Sequence, residues 1–194
     1  MTTSQIEPTR KEQIFTVARE MIRQNGYQGT SMREIAGALQ IEAASLYNHI
    51  AGKEDILRET CFGLADRFLN GIAEVNDIYF NAEEKLGMAV RNHIQILTQN
   101  LDASWVFIHE WRNLTGHHKT EFIALRDQYE NEFMKILENG EQEGIFNEVN
   151  NKFAVLTILS SLNWVVEWYR ASGAMSPAQI AEKLTEFILT GLKK

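Results

Sequence analysis

Few side chains here are spaced for covalent chemistry. Cys61 is the only cysteine among 194 residues, which leaves no intrachain disulfide and no multi-cysteine zinc site. Lying among Leu57, Phe62 and Leu64, it reads as a small buried hydrophobe. His109, His117 and His118, with Glu110 or Glu121, raise the idea of a metal site. Adjacent helical histidines face different ways, however, and no His-Glu-x-x-His spacing occurs. There is no Gly-x-Ser-x-Gly elbow and no glycine-rich phosphate loop. No catalytic residue, metal or cofactor is therefore expected, and the chemistry left is recognition. Residues 42 to 50 place Leu46 and Ile50 four apart on one face, leaving Ala43, Ala44, Ser45, Tyr47, Asn48 and His49 on the other. Small residues permit close approach, and the polar ones between them reach phosphates or base edges. The free N–H groups near Thr30 and Ser31 offer a seat for a phosphate.

These side chains need a frame. Thr9 to Asn25 carries Ile14, Ala18, Met21 and Ile22 on one face, with Gly26 as a left-handed stop. Ser31-Met32-Arg33-Glu34 is a capping box that opens a short helix through Ile35 and Leu39. A brief turn at Gln40-Ile41 leads to the second short helix, and Lys53-Glu54-Asp55 opens a longer one beyond Ala51-Gly52. This is the layout of a helix-turn-helix, whose second helix enters a major groove roughly 12 Å wide. With no arginine on that helix, readout falls to hydroxyl, amide and methyl contacts and to DNA shape.

Thr30-Ser31-Met32-Arg33-Glu34-Ile35-Ala36, Ser45-Leu46-Tyr47-Asn48-His49-Ile50 and Lys53-Glu54-Asp55-Ile56-Leu57 together resemble the TetR-family signature. The resemblance covers about the first sixty residues. It implies that Tyr47, His49 and Lys53 touch the DNA backbone, with Ser31, Ala43 and Ser45 at neighbouring contact positions. The chain departs from the common pattern at Glu42-Ala43-Ala44-Ser45, where the family often has Ser-Lys-Gly-Thr, and at Ile50, where it often has phenylalanine. Ala43 in place of lysine removes a phosphate contact, and Glu42 repels a nearby phosphate.

Beyond about Val75 the amphipathic segments lengthen: 82 to 101, 103 to 114, 120 to 142, a nearly all-round apolar 153 to 170, and a last helix opened by Ser176-Pro177-Ala178-Gln179. Pro8 and Pro177 both stand at helix starts, and no segment alternates with period two. The fold expected is all-α with about nine helices: a three-helix DNA-binding domain over 7–67 and an antiparallel helical bundle over 68–194 for effector binding and dimerisation. Phe107, His109, Trp111 and Arg112, joined by Asn163 and Trp164, are the candidate effector residues, because aromatics shape a pocket and a few polar groups orient a ligand. Such stripes are more often core. The segment 105–113, with Asn163-Trp164 to Tyr169-Arg170 and the Ser-Pro helix start, resembles a TetR subgroup whose effectors include acyl-coenzyme A thioesters. The family resemblance also implies that the last two long helices pair with their copies in a four-helix bundle, for which Leu162, Val166, Trp168, Leu184 and Phe187 are the candidates.

A net charge of −7 and a pI near 5.3 exclude wholesale wrapping of nucleic acid but permit a local reading site. The first residues lack the pattern of a signal peptide, and no apolar run approaches the roughly 20 residues of a bilayer span. A cytoplasmic protein without membrane contact is expected. The reading that results is a ligand-responsive transcriptional repressor, binding palindromic double-stranded operator DNA as a homodimer and released by a small apolar or acyl-CoA-like effector. The rival is a helical adaptor that binds another protein and has no sequence preference for DNA.

Overall fold

Thr9 decides where the first helix begins. Its hydroxyl accepts from the Glu12 N–H at 3.3 Å, and the Glu12 carboxylate accepts from the Thr9 N–H at 2.6 Å, so two otherwise unpaired donors are satisfied. The computed structural model describes residues 8–193; residues 1–7 and 194, including the outer ends of the two expected domains, lie outside them. Helix α1 runs Arg10–Asn25 and buries Ile14, Phe15, Ala18 and Ile22. Gly26 ends it at φ +77°, a value that L side chains rarely adopt.

Helix α2 (Met32–Ala38) starts at the Ser31 box, α3 is Ala43–Leu46, and α4 is Lys53–Asp77. The second short helix is thus a single turn, not the 42–50 expected. Glu42 makes no side-chain capping bond, and Tyr47, Asn48 and His49 are weak helix formers. The chain still curls on, with His49 and Ile50 N–H both donating to the Leu46 carbonyl at 2.9 and 3.1 Å. Leu46 and Ile50 are buried as expected.

Six further helices follow: α5 (Ala82–Gln99), α6 (Leu101–His109), α7 (Gly116–Gln142), α8 (Asn151–Asn163), α9 (Val165–Trp168) and α10 (Pro177–Leu192), with a 3-10 turn at Trp111–Asn113. The described residues form no strand, only an isolated bridge between Phe146 and Lys193. The expected 103–114 helix breaks at Glu110, and the expected 153–170 helix breaks at Trp164 and ends before Tyr169. Counting α8 and α9 as one interrupted helix gives nine among the described residues.

Besides a small cluster of Leu64, Phe68, Ile96, Leu97, Ala103 and Val166, two larger apolar cores share the described residues. One gathers α1 to α4 and takes in Val106, Leu114 and Phe122 from beyond them. The other gathers the end of α4 with α5, α7, α8 and α10. Helix α4 belongs to both, so the expected division at 67/68 falls inside a continuous 25-residue helix. Leu162 and Val166 are fully buried within their own chain, which corrects their assignment to an intersubunit surface: a side chain already packed on every side has nothing left to offer a partner.

Candidate DNA interface and effector cavity

The DNA-facing candidates separate by exposure. Tyr47, 56% exposed, stands beside exposed Ala44, Asn48 and His49, with Ala43 and Ser45 half-buried and Ser31 exposed at the start of α2. Thr30 is a correction: it is buried, and its hydroxyl donates to the Gly26 carbonyl at 3.0 Å. The seat at Ser31 is narrowed as well, since the Ser31 N–H donates to the Glu34 carboxylate at 2.8 Å. Lys53 is half-buried, its ammonium donating to the Tyr27 and Thr30 carbonyls at 2.5 and 2.8 Å and lying 4.3 Å from the Tyr27 ring centroid. It pins the α1–α2 connection onto the start of α4. Sequence reasoning took Arg33 as part of the capping motif and of the family signature but not as a contact, yet it is an exposed cation on α2.

Behind this unit, α4 to α8 enclose a cavity of about 110 Å³. Its walls are Ala65 and Phe68 of α4, Phe107 of α6, Leu125 of α7, and Leu156 and Leu159 of α8; its polar lining is His93, Arg126, Tyr129, Glu130, Ser160 and Asn163. Phe68 stacks at 4.7 Å on the His93 ring and at 5.4 Å on both Phe107 and Tyr129. Burial pushes the His93 imidazole down from 6.5 to about 4, against the weaker upward pull of Asn163. It is therefore neutral at neutral pH, with one ring nitrogen donating and the other accepting. Asn163 Oδ1 lies 3.3 Å from Nε2 and the Tyr129 hydroxyl 2.9 Å from Nδ1. An arrangement with Nε2–H donating to Asn163 and Tyr129 donating to Nδ1 satisfies both ring nitrogens. Burial raises the Tyr129 phenol well above its usual range and pushes the Cys61 thiol up to about 12, so neither ionises near neutrality.

Of the six effector candidates, Phe107 and Asn163 line this cavity. The other four do not, for physical reasons. His109 points to Glu167, 2.7 Å from its carboxylate. Trp111 packs on Phe122 in the first core. Arg112 lies 4.6 Å over the outer indole. Trp164 is 65% exposed at the break between α8 and α9. His117 and His118 turn to Glu121 and Glu54 at 3.5 and 4.0 Å, so the three histidines address three separate carboxylates. Missed by the sequence reading were His93, Arg126 and Phe68. For His93 a signal existed: it sits in the apolar stripe of Leu86, Val90 and Leu97, where a polar residue needs a partner.

A second hollow, open to solvent and about 450 Å³, lies between α8 and α10 with Phe153, Ile158, Phe187 and Leu192 on its walls. Phe153 and Phe187 are 71% and 75% exposed. Of the interface candidates, Phe187 lies here, Leu184 is half-buried on the same helix, and Trp168 is exposed beyond α8.

Residues 14–60 match the family model described as bacterial regulatory proteins, tetR family, and residues 80–192 match the model described as tetracyclin repressor-like, C-terminal domain. The chain belongs to the TetR family. Among its relatives, the HTH-type transcriptional repressor KstR2 of Mycobacterium tuberculosis is 23% identical over 188 residues, 96% of this chain and 94% of that protein. The TetR-family regulator PfmR of Thermus thermophilus superposes with a TM-score of 0.83 at 28% identity, covering 93% of this chain and 99% of that one. AibR, solved in complex with isovaleryl coenzyme A and operator DNA, superposes at 0.80 and 28% identity over 92% of this chain and 97% of that one. Both halves of the TetR-family layout are thus present, and the α2–α3 unit and the cavity are joined by one helix, α4, whose start Lys53 fastens and whose Ala65 and Phe68 wall the cavity.

Proposed function

We propose that the protein is a transcriptional repressor that binds a palindromic operator as a homodimer and is released by an acyl-coenzyme A thioester. The observation that carries the reading is the sharing of α4 between the DNA-facing unit and a partly open, mainly apolar cavity. A ligand lodged against Phe68 and Ala65 acts on α4 directly, and a shift there re-aims Tyr47 and His49 through the buried contacts of Leu46, Ile50, Ile56 and Leu57. Two recognition units must sit roughly one DNA turn, about 34 Å, apart to dock together, so a small change in their separation suffices for release. Tyr47, Asn48, His49 and Ser31 supply neutral contacts, and Arg33 supplies the nearby positive charge that the departures at Glu42 and Ala43 remove. The complex of AibR with isovaleryl coenzyme A and operator DNA supports the choice of effector class. The adaptor reading loses ground because nothing in it requires a cavity coupled to a helix-turn-helix.

The test is selection of bound sequences from random DNA, followed by fluorescence anisotropy on the recovered site with and without acyl-CoA thioesters. Recovery of an inverted repeat, released by a thioester and not by free coenzyme A, supports the proposal. Binding with no sequence preference would reject it.

A further inference from the structure

The cavity itself restricts what the effector can be, an inference that rests on the effector reading above. Size is the first restriction. An apolar protein cavity of roughly 150 Å³ holds the six carbons of benzene, or about 25 Å³ per carbon. At about 110 Å³, this one holds roughly four or five carbons by the same measure.

The second restriction is the sense of its hydrogen bonding. His93 is satisfied on both ring nitrogens by Tyr129 and Asn163, so it is not open to a ligand. With Asn163 Oδ1 turned to His93, what Asn163 has left is its amide N–H pair, which donates to no acceptor among the described residues. Arg126 is desolvated enough to lower its pKa. The neighbouring Glu130 makes its ion pair with Lys152, and what Arg126 does touch is the Trp111 ring, 4.6 Å from its guanidinium carbon. Asn163 and Arg126 offer only donors, and the Ser160 hydroxyl at the rim can donate or accept, so a ligand that fits the inner two brings acceptors.

We propose that the cavity selects a short, apolar acyl group of about four or five carbons, whose carbonyl oxygen accepts from Asn163 and Arg126. The rest of the molecule leaves past Leu156 and Ser160, which are exposed at the rim. Leu159, which lines the cavity from α8, sets the length limit.

The experiment measures release from the selected operator by a thioester series of acetyl, butyryl, isovaleryl, octanoyl and palmitoyl coenzyme A, with free coenzyme A as the blank. Butyryl and isovaleryl are expected to act at about tenfold lower concentration than acetyl or palmitoyl, the scale of discrimination that methylenes give in a closed pocket. Leu159→Ala should move the optimum to octanoyl, and Ala65→Val, which narrows the opposite wall, should move it toward acetyl. Either shift supports the length limit even if the other variant fails to fold. Asn163→Leu should weaken the butyryl response about five- to tenfold, read relative to the variant's own operator affinity. Equal potency of palmitoyl and isovaleryl, or an optimum unmoved in a folded length variant, overturns the inference while leaving an acyl-CoA-responsive repressor in place. Silence of every thioester, with operator binding intact, overturns the effector reading itself.

Discussion

Lys53 and His93 show how far a residue's role depends on what surrounds it. The TetR resemblance implies a phosphate contact for Lys53, but its ammonium is held by two backbone carbonyls and a tyrosine ring. Lys53→Met should therefore lower stability by about 1–3 kcal/mol, the range for losing charge-assisted hydrogen bonds, and weaken operator binding together with it. Chemical denaturation alongside anisotropy checks this; full stability with lost DNA affinity would restore the phosphate role. Tyr47→Ala and His49→Ala touch exposed groups and should do the opposite, weakening operator binding about fivefold each at unchanged melting temperature. His93 carries a pH dependence of definite sign. Its folded value of about 4 lies below its ordinary 6.5, so the unfolded chain holds the proton more tightly. The associated stability is complete above pH 6.5 and is lost as pH falls toward 4, on the order of 3 kcal/mol over that window. His93→Gln should flatten the stability profile between those limits, and an unchanged profile in the variant would show that another group sets the acid response.

At the scale of elements, what the sequence reveals is what local chemistry decides. The starts of α2 and α10 follow from Ser31-Glu34 and Ser176-Gln179, and both capping boxes form. Thr9-Glu12 and Asn81-Glu84 carry the same signature and form the same boxes. The breaks at Glu110 and Trp164 are less legible, because periodicity carries straight through them and only tertiary packing stops the helix. Pocket membership is less legible still: Phe107 and Asn163 line one cavity from α6 and α8, while Trp111, one helical turn beyond Phe107, packs wholly on the first core. The turn before α3 holds Gln40 at φ +55°, a conformation that costs an L residue about 1–2 kcal/mol. Gln40→Gly should recover up to about 1 kcal/mol of that after the entropy cost of glycine, as measured by the urea midpoint. Helix α6 is tied to the DNA-facing unit at both ends, by Arg23 to Asp102 at 2.8 Å and by the Tyr27 N–H to Glu110 at 3.1 Å. Glu110→Ala should leave effector affinity for the free protein intact but shrink the effector-induced loss of operator affinity several-fold, so that DNA-bound protein binds effector correspondingly tighter, which titrations of effector against free and DNA-bound protein resolve.

At the scale of the whole molecule, a net charge of −7 works against DNA binding, so one single-turn reading helix per subunit gives little affinity alone and the operator must be gripped twice. The α8–α10 face fits the joining of two copies: it is open, apolar and exposes Phe153 and Phe187, whereas Leu162 and Val166 are spent on the subunit's own core. Large exposed aromatics in one patch mark a surface that associates. Phe187→Glu places a charge at that patch without touching a buried contact, so each subunit should remain folded with an unchanged circular dichroism spectrum while sedimentation shifts from dimer to monomer at micromolar concentration. Operator affinity should then fall by two orders of magnitude or more, since the second half-site contact loses its effective concentration. A half-site oligonucleotide should lose far less, because its binding never used the linkage. A monomeric variant that still binds the full palindrome tightly would place the joining surface elsewhere, and a variant that stays dimeric would remove the α8–α10 face from the interface.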